Sequence, residues 1–537
     1  EIYQCDWSSD VCSSDLFQPF LPIFVPVGLG FLVAAFRKEG IDLHFLDEQI
    51  EDAIFEKCLA EVESGRLSKP YVFGFSVLTA GFRNAIELSR RLKGHFGRDC
   101  LILMGGIHPT ANPEEFLAHA HVDLVLRGEA EVSLIDLYRK IKAGADYHDV
   151  SGLSWKDGEG FRHNPITCDM VNLSELPPFP YELFARKEYD LGFLLSSRGC
   201  PYNCIFCSNR VTTGKKYRYS SAESIVRALK ILHDEYGRTF IIFLDDNFLV
   251  SKQRIHELIR RIKEEGLHEK MTFSFQCRGD NVDRETLEAL YSAGFTSIFF
   301  GLETASEEIM RLVKKGETVQ QCVDAVRMAK DIGYLVSATF IFGLPGETHQ
   351  DRMDAVSLAR ELKLDQVRFN NATPYPGTEL YTMARDSGRL NVQGMYDNFF
   401  SVSTFIEPPF SPIPFSFVPE GATEAEIRND LLFAYLAFYL DPSKIKDIIL
   451  KPKQGSGWFK AGENLKELVA KLPALAALFL LLTFKFGKLV LDMILKRNTS
   501  LRFGDFLRVL AGRYPRRENL VLPRFGQAAP QASKDGN

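Results

Sequence analysis

Three cysteines stand within eight residues of one another, at Cys200, Cys204 and Cys207. Three thiolates at this spacing can each bind one iron of a cubane 4Fe-4S cluster, which leaves the fourth iron without a protein ligand and open to chemistry. The alternative is a structural zinc site, but zinc prefers four protein ligands and the loop holds no fourth Cys or His. Cys168 or Cys277 would have to supply the fourth zinc ligand. The spacing therefore favours an iron-sulfur cluster.

The segment around these thiols alternates short apolar runs with helical patterns. The apolar runs cover residues 193–196, 240–244, 272–275, 297–300, 337–342 and 366–369. Six such units predict an open, barrel-like parallel sheet, a partial (β/α)6 barrel. The cysteines follow the first of these strands directly, so the end of that strand must position them. Beyond about residue 417 the chain is predicted to be helical.

A similar alternation precedes the cysteines, over residues 17–144. Apolar runs at 43–46, 71–77, 101–104 and 122–126 lie between amphipathic helical stretches, which predicts a doubly wound, Rossmann-like parallel sheet. Such sheets bind ligands at the carboxyl ends of their strands. Small and polar residues at those ends are therefore candidate binding residues: Ser76, Thr79, Gly105, Gly106 and Gly128.

These patterns divide an α/β chain into several parts. Residues 17–145 form the first domain, 146–190 a linker with a short hairpin, 191–415 the barrel-like domain and 416–537 a helical region. Residues 1–16 are set apart, because residues 6–16 read like the translation of a ligated sequencing adapter. On that interpretation the first strand of the first domain is truncated. The alternative is a genuine polar arm.

Composition restricts the partners and the compartment. The formal net charge of -6 and the sequence pI near 6.1 provide no general basic field, so no nucleic-acid partner is expected. The irregular spacing of the other cysteines is typical of a reducing cytosol, and no secretory signal peptide is predicted. The apolar stretch at 472–484 is shorter than the ~20 residues needed to cross a bilayer. It predicts a packed helix or, as the alternative, an interfacial helix with weak membrane-surface contact.

The cysteine motif and the strand ends that follow it resemble the radical S-adenosylmethionine (SAM) superfamily over roughly residues 190–380. In that superfamily the amino and carboxylate groups of SAM chelate the open iron, and electron transfer from the cluster yields a 5'-deoxyadenosyl radical. The resemblance implies that five residues at successive strand ends face SAM: Asp245, Asp246, Arg278, Glu303 and Gly343.

Each of these strand-end motifs also has a purely structural interpretation. An Asp-Asp pair at a strand end often caps a helix. Arg278 can simply form a salt bridge with Asp280 or Asp283, and the Gly-Leu-Pro-Gly sequence that begins at Gly343 is a common turn. The hypothesis of a SAM site therefore depends on the order of these features after the cysteines.

The first domain resembles the cobalamin-binding domain that is fused to many radical SAM enzymes. The resemblance lies in residues 26–35, in Gly-Gly-Ile-His-Pro-Thr at 105–110 and in Arg-Gly-Glu-Ala-Glu at 127–131. It implies that Gly28 and the strand-end residues named above approach the corrin, because glycine permits close backbone contact. The Asp-x-His-x-x-Gly signature that ligates cobalt is absent. We therefore expect cobalt to lack a histidine ligand, with His108 as the one alternative.

The resemblance implies an enzyme with three cofactors: a 4Fe-4S cluster, SAM and cobalamin. The implied reaction is methylation of an unactivated carbon in a small-molecule or lipid-like substrate, with a flavodoxin or ferredoxin as the reductant. One alternative is an anaerobic oxidative cyclase acting on Mg-protoporphyrin esters. A non-enzymatic alternative is a cobalamin sensor whose cluster is structural or carries electrons.

Aromatic residues at 396–417 predict an apolar pocket or ordinary core packing. The expected location is cytoplasmic, with peripheral membrane contact as an addition.

Overall fold

The structure is a computed structural model, and it describes residues 2–5, 23–167, 171–186, 188–402, 404, 412–440, 465–497 and 499–511. Two sheets, built mainly from parallel strands that alternate with helices along the chain, make up most of it, and further helices follow the second sheet. The predicted α/β architecture and the helical C-terminal region are confirmed. Cys168, Phe405 and Phe410, which the sequence analysis considered, lie outside the described residues.

The first sheet has seven strands in the order β3-β1-β4-β5-β6-β7-β8. Its strands are β1 (Ile2–Cys5), β3 (Phe45–Asp47), β4 (Tyr71–Val77), β5 (Cys100–Gly105), β6 (Leu124–Leu126), β7 (Leu153–Asp157) and β8 (Gly160–His163), and a separate short strand, β2 (Ile23–Phe24), lies outside the sheet. The first five strands are parallel, as the alternation of apolar runs and helices predicts.

Two features of this sheet differ from the sequence analysis. Ile2–Cys5, which was set apart from the fold, pairs in parallel with β3 and β4. It fills the position expected for a truncated first strand, because any extended backbone can satisfy the two open ladders. The hairpin of β7 and β8, which was assigned to the linker, pairs with β6 in antiparallel register. It therefore extends the first sheet.

Helices connect most of the strands of the two sheets along the chain. The helices of the first domain are α1 (Val27–Lys38), α2 (Ile54–Glu63), α3 (Phe82–Phe96), α4 (Ile107–Ala111), α5 (Pro113–Leu117) and α6 (Ser133–Ala143). Those that follow are α7 (Asn209–Thr213), α8 (Ala222–Asp234), α9 (Lys252–Glu264), α10 (Arg284–Ser292), α11 (Glu307–Leu312), α12 (Val319–Ile332), α13 (His349–Glu361), α14 (Glu379–Asp386), α15 (Glu424–Tyr439), α16 (Leu465–Leu495) and α17 (Phe503–Leu510).

The second sheet has six parallel strands in the order β10-β13-β14-β15-β16-β17. Its strands are β10 (Phe193–Leu194), β13 (Phe240–Phe243), β14 (Thr272–Cys277), β15 (Phe295–Glu303), β16 (Leu335–Phe342) and β17 (Gln366–Asn371), and the short strands β9 (Tyr189–Asp190), β11 (Ser197–Arg198) and β12 (Arg218–Tyr219) lie beside it. Buried and half-buried residues alternate along β16 and β17. The predicted partial (β/α)6 barrel is confirmed.

Helix α15 covers the free edge of the barrel at β17. The Tyr435 hydroxyl accepts a hydrogen bond from the Phe369 N–H at 3.0 Å. The Tyr439 hydroxyl lies 3.2 Å from the Val367 nitrogen and 3.0 Å from its carbonyl oxygen. An edge strand presents unpaired backbone groups that invite association. The two tyrosines satisfy the backbone groups of Val367 and Phe369, so α15 belongs to the barrel.

A segment after the barrel returns to the first domain. Tyr396 and Phe399 are buried in the same apolar core as Phe82 and Phe116, and Arg83 forms an ion pair with Asp397. Two of the aromatic residues that were candidates for a substrate pocket therefore serve as domain contacts, which was the alternative interpretation.

Helix α16 buries one face against the protein, through residues that include Leu489 and Met493. Among the residues that the structure describes, no helix combines the length and the apolar character that crossing a membrane requires.

We expect Tyr435→Phe to lower the melting temperature by about 2–8 °C, because it leaves the Phe369 N–H unpaired at a cost of about 1–3 kcal/mol. Differential scanning fluorimetry measures the shift. Tyr291→Phe is the matched control, since Tyr291 lies on the surface helix α10 with an exposed side chain. An equal shift in both variants would contradict the role assigned to the edge hydrogen bond.

Candidate cofactor site

The cysteine loop begins at Gly199, directly after β11. Gly199 has a φ of +86°, and a Cβ at this position would collide with the Lys216 carbonyl oxygen. Glycine alone tolerates both constraints. Its N–H donates to an Asp246 carboxylate oxygen at 3.0 Å. The backbone thus fixes the direction in which Cys200 leaves the strand.

The middle of the loop is anchored by Ile205. This side chain is buried in an apolar cluster with Val313, Leu344 and Leu380. The Ile205 N–H donates to the Val313 carbonyl at 3.1 Å, and its own carbonyl accepts from the Leu380 N–H at 2.9 Å. The thiols on either side are therefore held by a rigid backbone, although the segment is neither helix nor strand.

The three thiols of the loop lie in electrostatic range of one another. Burial raises the pKa of all three, that of Cys207 to about 12, and Cys200 and Cys204 each contribute to the Cys207 shift through their charge. Buried thiols that lie close to one another become thiolates when a metal binds to the sulfur atoms and displaces the protons. Among the described residues no three His, Cys, Asp or Glu side chains are grouped to share one metal ion.

Tyr202 connects the cysteine loop to the end of β14. The Arg278 guanidinium lies over its ring, 3.5 Å from the centroid, and its hydroxyl accepts from the Asn281 side-chain amide at 2.7 Å. Arg278 also donates two hydrogen bonds of 2.9 Å to Asp280. The salt bridge considered as an alternative for Arg278 is thus present, but it is buried and adjoins the cysteine loop rather than lying at the surface.

Glu303 belongs to a buried network of charges that the sequence analysis did not identify. Lys315 donates to Glu303 at 2.8 Å and to the Gly301 carbonyl at 2.6 Å, and it lies 3.2 Å from Glu317. Glu317 in turn accepts from the Asp280 N–H at 3.1 Å. Burial alone would lower the pKa of Lys315, but Glu303 and Glu317 outweigh it and raise that pKa. The only local sequence signal is the Lys-Gly-Glu turn at 315–317, which follows α11.

The backbone of Glu303 is unusual. Its φ is +62°, and the register of β15 against β16 shifts between Gly301 and Glu303. A non-glycine residue in the left-handed region costs free energy, and such residues concentrate at functional sites. The bulge directs the Glu303 carboxylate towards Lys315 at the carboxyl edge of the barrel.

The two aspartates at the end of β13 have different protein partners. Asp245 is fully buried and accepts hydrogen bonds from the backbone and hydroxyl groups of Ser196 and Ser197, while Arg254 lies 3.1 Å away. These groups occupy both oxygens of Asp245, and its contact with SAM stays a prediction. Asp246 lies beside Gly199 at the start of the cysteine loop, and burial raises its pKa.

Gly343 follows β16 and lies against α15. Its φ is +86°, and a Cβ there would lie 3.4 Å from an Ile427 methyl group. The Gly343 N–H donates to Glu347, whose pKa burial raises to about 8. Arg352 lies between Glu347 and Asp430 of α15. The loop that was predicted to pass SAM is thus locked to α15 by a buried ion cluster.

The candidate cobalamin residues gather at the carboxyl edge of the first sheet, with one exception. Ser76 pairs with Gly105 across β4 and β5, and Thr79 follows β4. The Gly128 N–H donates to the Thr110 hydroxyl at 3.0 Å. Gly28 lies in the first turn of α1, where it is exposed, and does not follow a strand of this sheet.

Two glycines of these motifs, Gly106 and Gly30, lie so close to neighbouring atoms that packing alone accounts for a glycine there. A Cβ on Gly106, whose φ is +97°, would lie 2.6 Å from the Val77 nitrogen. The ring of Phe179, from the linker, lies directly against Gly30. Both glycines are therefore required by packing, whether or not a ligand approaches them.

His108 is sequestered in the first domain. Its side chain is fully buried, with ring contacts to Phe82, Phe116 and Tyr396. Nε2 lies 3.3 Å from a Glu115 oxygen, and Nδ1 has no partner within the described residues. Burial lowers the pKa of the His108 imidazole, and this effect outweighs Glu115, which raises that pKa. An aromatic enclosure of this kind favours a packed neutral histidine over a metal ligand.

The two candidate edges face each other across a charged junction. Arg198, two residues before Cys200, lies 2.6 Å from Glu131, and Arg218 donates to Glu129 at 2.8 Å. Burial would lower the pKa of Arg198, but Glu131 and Glu129 outweigh it and raise that pKa. The Arg-Gly-Glu-Ala-Glu motif, which was assigned to cobalamin, thus also binds the cysteine domain.

Helix α4 of the first domain packs against α7, which follows the cysteines. Gly377 lies at this contact, where a Cβ would come within 2.9 Å of the Ala111 Cβ and 2.8 Å of a Val211 methyl group. The close approach leaves no room for a larger residue, so the junction has a fixed geometry.

The two halves of the chain match separate family models. The Radical SAM superfamily model matches residues 194–359, and the B12 binding domain model matches residues 17–137. An uncharacterized methyltransferase of Pyrococcus horikoshii is 32% identical over 430 residues, which cover 79% of this chain and 90% of the relative. The chain belongs to the cobalamin-binding radical SAM family. It is an enzyme of that family, and its cofactors are a 4Fe-4S cluster, SAM and cobalamin.

More distant relatives agree with this assignment. An anaerobic magnesium-protoporphyrin IX monomethyl ester cyclase of Cereibacter sphaeroides is 25% identical, over 81% of this chain and 69% of the relative. The structure of the radical SAM methyltransferase TsrM from Kitasatospora setae, with cobalamin and a [4Fe-4S] cluster bound, has a TM-score of 0.60 at 19% identity. It covers 72% of this chain and 77% of that chain. This structural likeness confirms the fold.

We expect anaerobically reconstituted protein to contain about four irons per chain and to show a broad charge-transfer absorption, because three thiolates and one open iron suit a cubane cluster. Cys204→Ala should abolish both signals. Cys58→Ala is the control, since Cys58 is buried in the core of the first domain. Iron analysis and absorption spectra measure the outcome, and a Cys204→Ala protein with full iron content would contradict the ligand assignment.

We expect cobalamin to bind without a histidine on cobalt, because His108 is enclosed by aromatic rings and the usual signature is absent. Electron paramagnetic resonance of the Co(II) form should lack nitrogen superhyperfine splitting and remain unchanged in His108→Ala. A splitting that disappears in His108→Ala would show that the histidine leaves its enclosure to bind cobalt.

Proposed function

We propose that this family member transfers a methyl group from SAM, by way of cobalamin, to an unactivated carbon of a small molecule. The observation that carries the proposal is the junction, where Arg198 and Arg218 join the cysteine domain to Glu129 and Glu131 at the carboxyl edge of the first sheet. An edge that binds cobalamin and a loop that binds the cluster must face each other for two cofactors to act on one substrate.

When bound, the cluster with SAM supplies a carbon-centred radical, and cobalamin supplies the methyl group. The protein's own residues hold and orient these groups. Cys200, Cys204 and Cys207 are the proposed iron ligands. Ile205 keeps the loop rigid, and Tyr202 fixes it to β14 and limits water at the thiols.

The proposed SAM contacts are Asp246, Arg278, Glu303 and Gly343, at the ends of successive barrel strands. The buried charges of Arg278 and Glu303 are already paired with Asp280 and Lys315. Such pairs are held in place before a ligand arrives, so little reorganisation accompanies binding. The proposed cobalamin contacts are Ser76, Thr79, Gly105, Gly106 and Gly128 at the facing edge, together with Gly28 in the first turn of α1.

Methyl transfer is preferred over cyclisation because the relative at 32% identity carries a methyltransferase name and the cyclase relative is 25% identical. Cyclisation of a porphyrin ester remains the second candidate. We also propose that a flavodoxin or ferredoxin reduces the cluster, since the reaction requires one electron from outside the chain. A cytoplasmic location follows from this choice of reductant.

The products of SAM distinguish the candidates. Reduced, reconstituted protein is incubated with SAM, cobalamin and candidate substrates, and the products are separated by mass spectrometry. A methyltransferase should form S-adenosylhomocysteine together with 5'-deoxyadenosine. A cyclase should form 5'-deoxyadenosine and methionine without S-adenosylhomocysteine. Neither product, with an intact cluster, would contradict both enzyme proposals and favour a sensor. Cys204→Ala protein is the control for uncatalysed breakdown of SAM.

A further inference from the structure

Helix α16 presents an apolar face that no described part of the chain covers. One side of the helix packs inwards through residues such as Leu489 and Met493. The opposite side carries large apolar residues at helical spacing, with exposed fractions of 68% for Leu480 and 55% for Ile494. The members of this stripe are Leu480, Leu491, Ile494 and Leu495. Exposed apolar patches of this kind mark sites of association.

Helix α17 extends the same apolar character. Leu507 has an exposed fraction of 50%, and Phe503 and Leu510 are exposed on the same short helix. Helix α17 packs against α16. We call the exposed residues of the two helices the C-terminal apolar face.

Basic residues interleave with the C-terminal apolar face. Lys488 and Lys496 are exposed on or just beyond α16, and Arg502 and Arg508 are exposed at α17. Lys485 is different, since it is buried and donates to the Thr404 carbonyl at 2.6 Å. The basic side chains that flank the apolar residues are therefore directed to solvent, where a long cationic side chain can reach an anionic surface.

The chain from residue 485 onwards is basic, whereas the chain as a whole is acidic. Residues 485–537 contain eleven Lys or Arg and four Asp or Glu, whereas the whole chain has a formal net charge of -6. The remainder of the protein is strongly acidic. Within the described residues 485–497 and 499–511, six Lys or Arg and two Asp accompany the exposed apolar residues, and of the six only Lys485 is buried.

We propose that the C-terminal apolar face binds the surface of an anionic lipid bilayer, with α16 and α17 lying in the interfacial plane. Binding at an interface combines buried apolar area with attraction to anionic lipid, and this face offers both. A nucleic acid would attract the basic residues but would leave Leu491 and Ile494 in water. A second copy of the chain would cover the apolar residues but would bring two basic ends together, which is unfavourable.

Flotation of the full-length reconstituted protein tests the proposal, independently of any activity. Vesicles of phosphatidylcholine are compared with vesicles that also contain roughly 30% phosphatidylglycerol, since each basic residue near an anionic surface contributes attraction. We expect the protein to float with the anionic vesicles only, and high salt to release it because it screens the charges.

Two double variants separate the apolar and the charged contributions. Leu491→Glu/Ile494→Glu and Lys488→Glu/Lys496→Glu should each reduce vesicle binding at least about tenfold. Met383→Glu/Val392→Glu is the apolar control, since both residues are exposed elsewhere. Arg227→Glu/Lys270→Glu is the charge control on exposed sites of the barrel. Both controls should bind as the unchanged protein does, and iron content and melting temperature establish that every variant is folded.

Three results would overturn the proposal. The first is a folded protein that floats with neither type of vesicle. The second is sedimentation analysis in which the protein is a dimer that Leu491→Glu/Ile494→Glu dissociates, because the face would then bind a second copy. The third is binding to duplex RNA that is tighter than binding to anionic vesicles and is lost in Lys488→Glu/Lys496→Glu.

Discussion

The ion pairs between Glu129, Glu131, Arg198 and Arg218 hold together the arrangement on which the rest of the structure depends. Buried ions are costly to desolvate, and they are retained only where geometry and partners compensate. Here each carboxylate follows a strand of the first sheet and each arginine lies beside the cysteine loop. Breaking one pair would leave an uncompensated charge at the junction. The relative position of the two domains is therefore strongly specified, although two separate family models describe them.

The partial barrel depends on a second constraint, since an open parallel sheet has a free edge. Tyr435 and Tyr439 of α15 satisfy the backbone of β17, and Asp430 of the same helix lies 2.6 Å from Arg352. Arg352 also lies beside Glu347, which holds the Gly343 loop. The helix that closes the edge therefore also fixes a loop at the candidate SAM site. Helix α15 thus supports both the barrel edge and the Gly343 loop.

Periodicity in the sequence was enough to predict both parallel sheets, because apolar runs separated by amphipathic helices permit few other arrangements. The cysteine loop was also predictable, since its spacing is local. Lys315, Glu317 and the Arg198 junction were not, because their partners lie on other strands or in the other domain. Asp245 shows the same limit: its sequence context could not reveal that Ser196 and Ser197 occupy its oxygens. Ile2–Cys5 was excluded on its apparent origin, yet an open ladder accepts any extended backbone.

The charges at the barrel edge are close to what a SAM molecule requires. Arg278 and Lys315 are positive, and Asp280, Glu303 and Glu317 are negative, so the buried network has one net negative charge. SAM has a positive sulfonium, a positive amino group and a negative carboxylate, and hence one net positive charge. Under the proposed function, its binding would neutralise the network. An excess carboxylate near the Lys315 amino group therefore has a physical reason: a neutral network would have to give up an internal ion pair to receive a cationic ligand, whereas this one gains a counter-ion.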